Sequence, residues 1–212
     1  MIDDDPGASS PADLAGNLAF VKALVSEGGR SQITGGAAFL TAGLCYGAQC
    51  LLQYAQIRGW LPSRPPFDLI AGVGPTVIFC VILGIILWRS RKESQQGVAT
   101  RALNATFGSA GLANLFMVFV FGYNAITQKS LAIWLYYPCV VCAFQGAIWY
   151  VAYMIRRKTW LACVSAGWFV TTVALGLTLR DVNTYVLILG LALTFLMGGS
   201  GWYMMQQARK VG

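Results

Sequence analysis

The sequence predicts an all-α fold: a polytopic membrane bundle of six transmembrane helices, both termini cytoplasmic, with an amphipathic helix ahead of the first span. Three observations point there. Of the 212 residues, 57% are hydrophobic and only 11% charged, and the mean hydropathy is +0.60, whereas soluble domains carry about 25% charged residues. Six apolar stretches, near 31–57, 69–88, 102–128, 130–155, 159–179 and 182–206, contain no Asp, Glu, Lys or Arg. Each is long enough to cross a bilayer, which takes about 20 residues. The 15 Lys and Arg fall in short groups between those stretches.

These basic groups set the expected orientation. With the N-terminus in the cytoplasm, eleven lie inside: Lys22, Arg30, Arg89, Arg91, Lys92, Arg101, Arg156, Arg157, Lys158, Arg209 and Lys210. Four lie outside: Arg58, Arg64, Lys129 and Arg180. The connecting loops are short, where the positive-inside rule is most reliable. The net charge of +7 is therefore a topology signal. It does not predict a nucleic-acid partner, which calls for basic residues clustered on one solvated face.

Residues 1–30 form the expected cytoplasmic N-terminal segment. Its start, Met-Ile-Asp-Asp-Asp, lacks the basic region of a cleaved signal peptide, so the first span reads as an uncleaved signal anchor. Within the segment a helix is expected over about 11–27. Ser10 offers an N-cap, Pro11 the first helical position and Asp13 an acid in the first turn. Leu14, Leu18, Val21, Leu24 and Val25 recur at helical spacing, and Gly28-Gly29 is the expected stop.

The six-helix domain then occupies 31–212. Three prolines in 59–68 predict a stiff, extended outer loop, and 93–100 reads as a solvated linker. Asn124, Gln128 and Lys129 mark the break between the third and fourth spans. Gly43 and Gly47 form a GxxxG, and Gly190, Thr194 and Gly198 repeat that spacing in the last span. Small residues let membrane helices approach closely. They predict packing within the bundle first and a homo-oligomer or membrane-protein partner second, besides the lipid itself. Gly146 to Arg157 and Gly199 to Lys210 echo one another, with Trp-Tyr and then two basic residues at equal spacing. Duplication of a hairpin and an aromatic belt beside basic anchors both produce that echo.

The chemistry is limited by what the chain lacks. Without histidine there is no imidazole base, haem ligand or His-based zinc site. No cofactor or metal motif is present, and no span holds the ionisable groups that proton-coupled carriers bury. Six cysteines lie within apolar runs, which is not a secreted disulfide framework. The sharpest motif is Pro138-Cys139-Val140-Val141-Cys142, two thiols on one helix face. A helix N-terminus following the proline would lower the pKa of Cys139. The motif resembles quinone-linked disulfide-forming membrane enzymes of the vitamin K epoxide reductase and DsbB kind. Those enzymes also need a second cysteine pair in an outer loop, and no loop here has one. Free cysteine in apolar surroundings is otherwise a small hydrophobe.

The intramembrane amides and hydroxyls supply the remaining site. Asn114 and Gln145 fall midway along the third and fourth spans and are expected to face each other, with Gln49 and Thr194 completing the cluster. The order of features, from Asp13-Leu through Leu40-Thr-Ala-Gly to Tyr137-Pro138 and Ala147-Ile-Trp149-Tyr150, is similar to six-helix bacterial inner-membrane proteins of uncharacterised role. That resemblance implies the bundle and no activity. The expectation is a non-enzymatic accessory, sensory or regulatory protein of the bacterial inner membrane. A small transporter or channel for a neutral or lipophilic solute is the second reading. A thiol oxidoreductase using Cys139 and Cys142 is the third.

Overall fold

A computed structural model describes the backbone of residues 11–62, 64–90 and 98–211, and the side chains of 32–62, 64–89 and 99–210. The described chain is all helical: α1 (Pro11–Ile57), α2 (Pro65–Ser90), α3 (Val98–Thr127), α4 (Leu131–Arg156), α5 (Thr159–Leu177), α6 (Val182–Ala192), a π-helical turn (Leu193–Gly198) and α7 (Gly199–Val211). Six helices are long and apolar enough to cross a membrane: Gln32–Ile57, Pro65–Arg89, Ala99–Thr127, Leu131–Arg156, Thr159–Leu177 and Val182–Lys210. In hydrocarbon each backbone polar group needs an internal partner, and an uninterrupted helix supplies it.

Two expected boundaries are corrected. Gly28-Gly29 does not stop a separate helix, because α1 runs unbroken from Pro11 to Ile57. An interior glycine costs a helix only about 1 kcal/mol, which the long flanking helix outweighs. The side chains of the expected amphipathic face lie outside the described residues. The 59–68 segment is not extended throughout, since α2 already begins at Pro65. Pro65 and Pro66 occupy the first turn, whose N–H groups have no helical acceptor in any case. Asp68 in that turn accepts a hydrogen bond from Gln56 Nε2 at 2.6 Å, fixing α2 against the end of α1.

The later spans are joined by tight turns. Three residues, Gln128 to Ser130, connect α3 to α4, with Lys129 in the left-handed region at φ 49°. Arg157, at φ 52°, closes α4, and its N–H donates to Tyr153 O. Such turns leave the helices no option but antiparallel neighbours, and α4 packs closely on both α3 and α5. Ser165 Oγ donates to Gly146 O at 2.7 Å across the α4–α5 seam.

The first and last spans close the bundle. Gly43 lies against the backbone of Gly198 and the carbonyl of Leu193, with no room for a Cβ. A Cβ on Gly36 would meet Gly201 O at 2.8 Å, and one on Gly190 would meet Cys50 Cβ at 3.1 Å. Gly47 accommodates the side chain of Thr194. The two glycine series that could have served a second copy therefore face each other inside one chain. By contrast, α2 docks on α1 while α3 docks on α4, so these consecutive helices do not pack as a hairpin. Their outer faces, among them Ile78 and Val81 on α2 and Phe116 and Phe119 on α3, are exposed. The echoed tryptophans differ in surroundings: Trp149 is buried and Trp202 exposed.

Candidate functional site

The four polar residues expected to cluster do not all meet. Gln49 Nε2 donates to Gly72 O on α2 at 2.7 Å. Gly72 has no side chain to shield that carbonyl. Thr194 Oγ1 donates to Gly190 O in its own span at 2.8 Å and packs into the space left by Gly47. Gln49 thus ties α1 to α2, and Thr194 fills the seam between α1 and the sixth span.

Asn114 and Gln145 form a different arrangement. On α3, Phe107, Asn114 and Phe121 are spaced by seven residues and so share one face. Phe107 meets Trp149 of α4, with ring centroids 5.6 Å apart, and Phe121 meets Tyr137 of α4 at 6.1 Å. Asn114 therefore points at α4 between two aromatic clamps. Gln145 precedes Trp149 by one turn on the same side of α4. The register puts the two amides within about one turn, some 5 Å, of the same depth.

The clamps draw on most of the bundle. Phe39 of α1 packs on Phe107 at 5.0 Å and on Trp149 at 5.2 Å. Trp149 packs in turn on Trp160 of α5 at 5.8 Å, and Trp160 on Tyr203 of α7 at 5.0 Å. At the other clamp Tyr137 stacks on Trp134 at 5.5 Å. Tyr46 of α1 packs on Phe79 of α2 at 5.3 Å.

Between the clamps two buried acceptors are unused. Asn114 Oδ1 and Gln145 Oε1 are both buried and neither accepts a hydrogen bond. The amide-to-amide bond expected between them is therefore not formed, since it would need one of these oxygens. The indole N–H groups of Trp149 and of Trp160, which packs on it, are buried without acceptors as well, as is that of Trp168 in the core. A buried polar group left unsatisfied costs about 1–3 kcal/mol, so each such group favours any molecule that completes it. These groups are neutral, and they can orient a partner but cannot transfer a proton at neutral pH.

The cysteine pair lies in the buried core cluster that also holds Trp149. Cys139 and Cys142 are free and buried, packed in one cluster with Cys50, Trp168 and Tyr185. Tyr185 OH donates to Leu135 O at 2.5 Å and lies 3.8 Å from Cys139 Sγ. Pro138 lies inside α4, two turns from its start, so Cys139 is not at a helix N-terminus and gains no activation from one. Cys80 and Cys163 are exposed on the bundle surface. Among the described residues no group of three His, Cys, Asp or Glu could hold a metal ion.

Sequence reasoning missed Phe39, Trp149, Trp168 and Tyr185 as parts of these clusters. One signal was present: the seven-residue spacing of Phe107, Asn114 and Phe121. No known protein family, curated protein or solved structure matches this chain.

Proposed function

We propose that the chain is a non-enzymatic, multi-pass protein of the bacterial inner membrane that serves an accessory, sensory or regulatory role by binding. The observation that carries this reading is the placement of its chemically distinctive groups. Cys139 and Cys142 are packed within the core beside the tethered Tyr185 hydroxyl. Gln49 Nε2 and Thr194 Oγ1 are engaged in helix packing. What is left free is a set of uncharged donors and acceptors, which suits recognition. The split of basic residues supports cytoplasmic termini.

A second reading, passage of a neutral or lipophilic solute, is favoured by the unpartnered oxygens of Asn114 and Gln145. Reconstituted vesicles distinguish the two. Glycerol and urea should enter proteoliposomes no faster than protein-free vesicles, and a tenfold faster influx would replace the binding role with a transport role. Alkylation of intact membranes should find Cys139 and Cys142 as thiols with or without added quinone. A quinone-dependent disulfide would replace both readings with the oxidoreductase. Reporter fusions at residue 95 and at the C-terminus should both read cytoplasmic, and a periplasmic C-terminus would reverse the orientation.

A further inference from the structure

We infer that the α3–α4 interface between the two aromatic clamps is a binding site for a neutral lipophile with a hydroxyl head group, admitted from the bilayer across α3. The inference rests on the binding role proposed above and names its ligand class. The head group follows from the groups left open. Asn114 Oδ1 and Gln145 Oε1 are buried acceptors that need donors, and Trp149 Nε1 is a buried donor that needs an acceptor. A hydroxyl does both with one atom, donating to an amide and accepting from the indole. Gln145 is only 9% exposed and Trp149 1%, so neither can turn to water or to a headgroup region for a partner.

Charge is excluded by the surroundings. The described span from Ala102 to Thr127 and that from Leu131 to Ile155 hold no Asp, Glu, Lys or Arg. An ionic head group would have no counter-charge there. The length of the site follows from the clamps, which close it at Phe107 with Trp149 and at Phe121 with Tyr137.

The route in is set by α3. This helix docks on α4 and not on α2, which leaves its flank to the lipid. Gly108 and Gly111, within two turns of Asn114, are exposed, and a Cβ on either would meet nothing within 4 Å. With no side chain at either position, the helix surface there is open for an alkyl or prenyl tail to lie against on its way to the amide. A tail lying there would leave its head group at Asn114.

Farnesol and farnesyl methyl ether test this, because the ether keeps the tail and the acceptor but lacks the donor. Thermal unfolding and tryptophan emission of the full chain in mild detergent are followed during titration with each. Farnesol should raise Tm by a few degrees and change the emission, with the ether at least tenfold weaker. In Gln145→Leu and Asn114→Leu the farnesol response should weaken at least tenfold. If a leucine variant does not fold, Gln145→Met and Asn114→Ala serve in its place. Equal responses to alcohol and ether would overturn the assignment, as would an undiminished response in the folded variants. No response to farnesol in the folded wild-type chain would also overturn it, leaving the amides with at most a bound water. Because vesicle influx is not measured here, failure of this assay leaves the binding-versus-transport test untouched.

Discussion

The hydroxyl of Tyr185 donates to the carbonyl of Leu135 at 2.5 Å, joining α6 to α4 through the centre of the core. Tyr185 is 1% exposed, so neither partner has water as an alternative. Tyr185→Phe keeps the ring and removes this link together with the weaker contact to Cys139 Sγ at 3.8 Å. Thermal unfolding in mild detergent should show a loss of about 1 kcal/mol, the net value of one buried hydrogen bond. An unchanged Tm would mean that the link adds nothing to stability.

Glycines on the two sides of the bundle should respond in opposite ways to alanine. Gly43→Ala places a methyl against the backbone of Gly198 and Leu193, and backbone cannot yield as a side-chain tip can. Overpacking of this kind costs about 1–3 kcal/mol. Gly84→Ala on α2 meets nothing within 4 Å and gains helix propensity worth up to about 1 kcal/mol. The check is the sign of each Tm shift under identical conditions.

Lys129 holds a left-handed conformation at φ 49° in the three-residue turn between α3 and α4. For a residue with a Cβ that conformation costs about 1–2 kcal/mol. Lys129→Gly removes the cost but adds chain entropy to the unfolded state. A net gain of up to about 1 kcal/mol is expected in the same unfolding assay, with no change in topology.

Acid should weaken the start of α6. Asp181 caps that helix, accepting from Thr184 Oγ1 at 2.5 Å, Asn183 N at 3.2 Å and Thr184 N at 3.3 Å. The Thr184 hydroxyl foremost, and then the backbone donors, hold its carboxyl below the ordinary aspartate value. A folded-state pKa below the unfolded one means stabilisation that is complete above the unfolded value and fades as pH falls through the folded value. Asp181→Asn retains a capping oxygen but does not titrate. Its stability should be nearly flat across the acid range where the wild-type chain loses Tm. Parallel acid curves for the two proteins would exclude the cap as the cause.

The spans were legible in the sequence because a bilayer imposes one length and one polarity on them. The described helices begin and end within four residues of the expected stretches, apart from the N-terminal reach of α1 back to Pro11 and the end of α7 at Val211. The seam of Gly43 and Gly47 with Thr194 and Gly198 was legible too, since small residues at four-residue spacing have one strong use in lipid. Helix neighbours were not. Lipid is as apolar as leucine, so no pattern of polarity told α2 to dock on α1 or α3 on α4. For the same reason the amides could be assigned a depth but not a bonding partner. Asn114 and Gln145 lie at similar depth, yet neither oxygen is bonded. Gln49 found the Gly72 carbonyl, which carries no side-chain signal at all.

The π-helical turn at Leu193–Gly198 has a consequence for how this span can vary. A π turn accommodates one surplus residue while the helix on either side keeps its facing. Removing a single residue from the turn would restore a continuous α-helix with Tyr185 and Ala208 on their present faces. Among the described residues, the sixth span is therefore the transmembrane segment in which relatives could differ by a one-residue gap in mid-membrane. An aligner that forbids gaps inside hydrophobic helices would then misplace every residue on one side of that point.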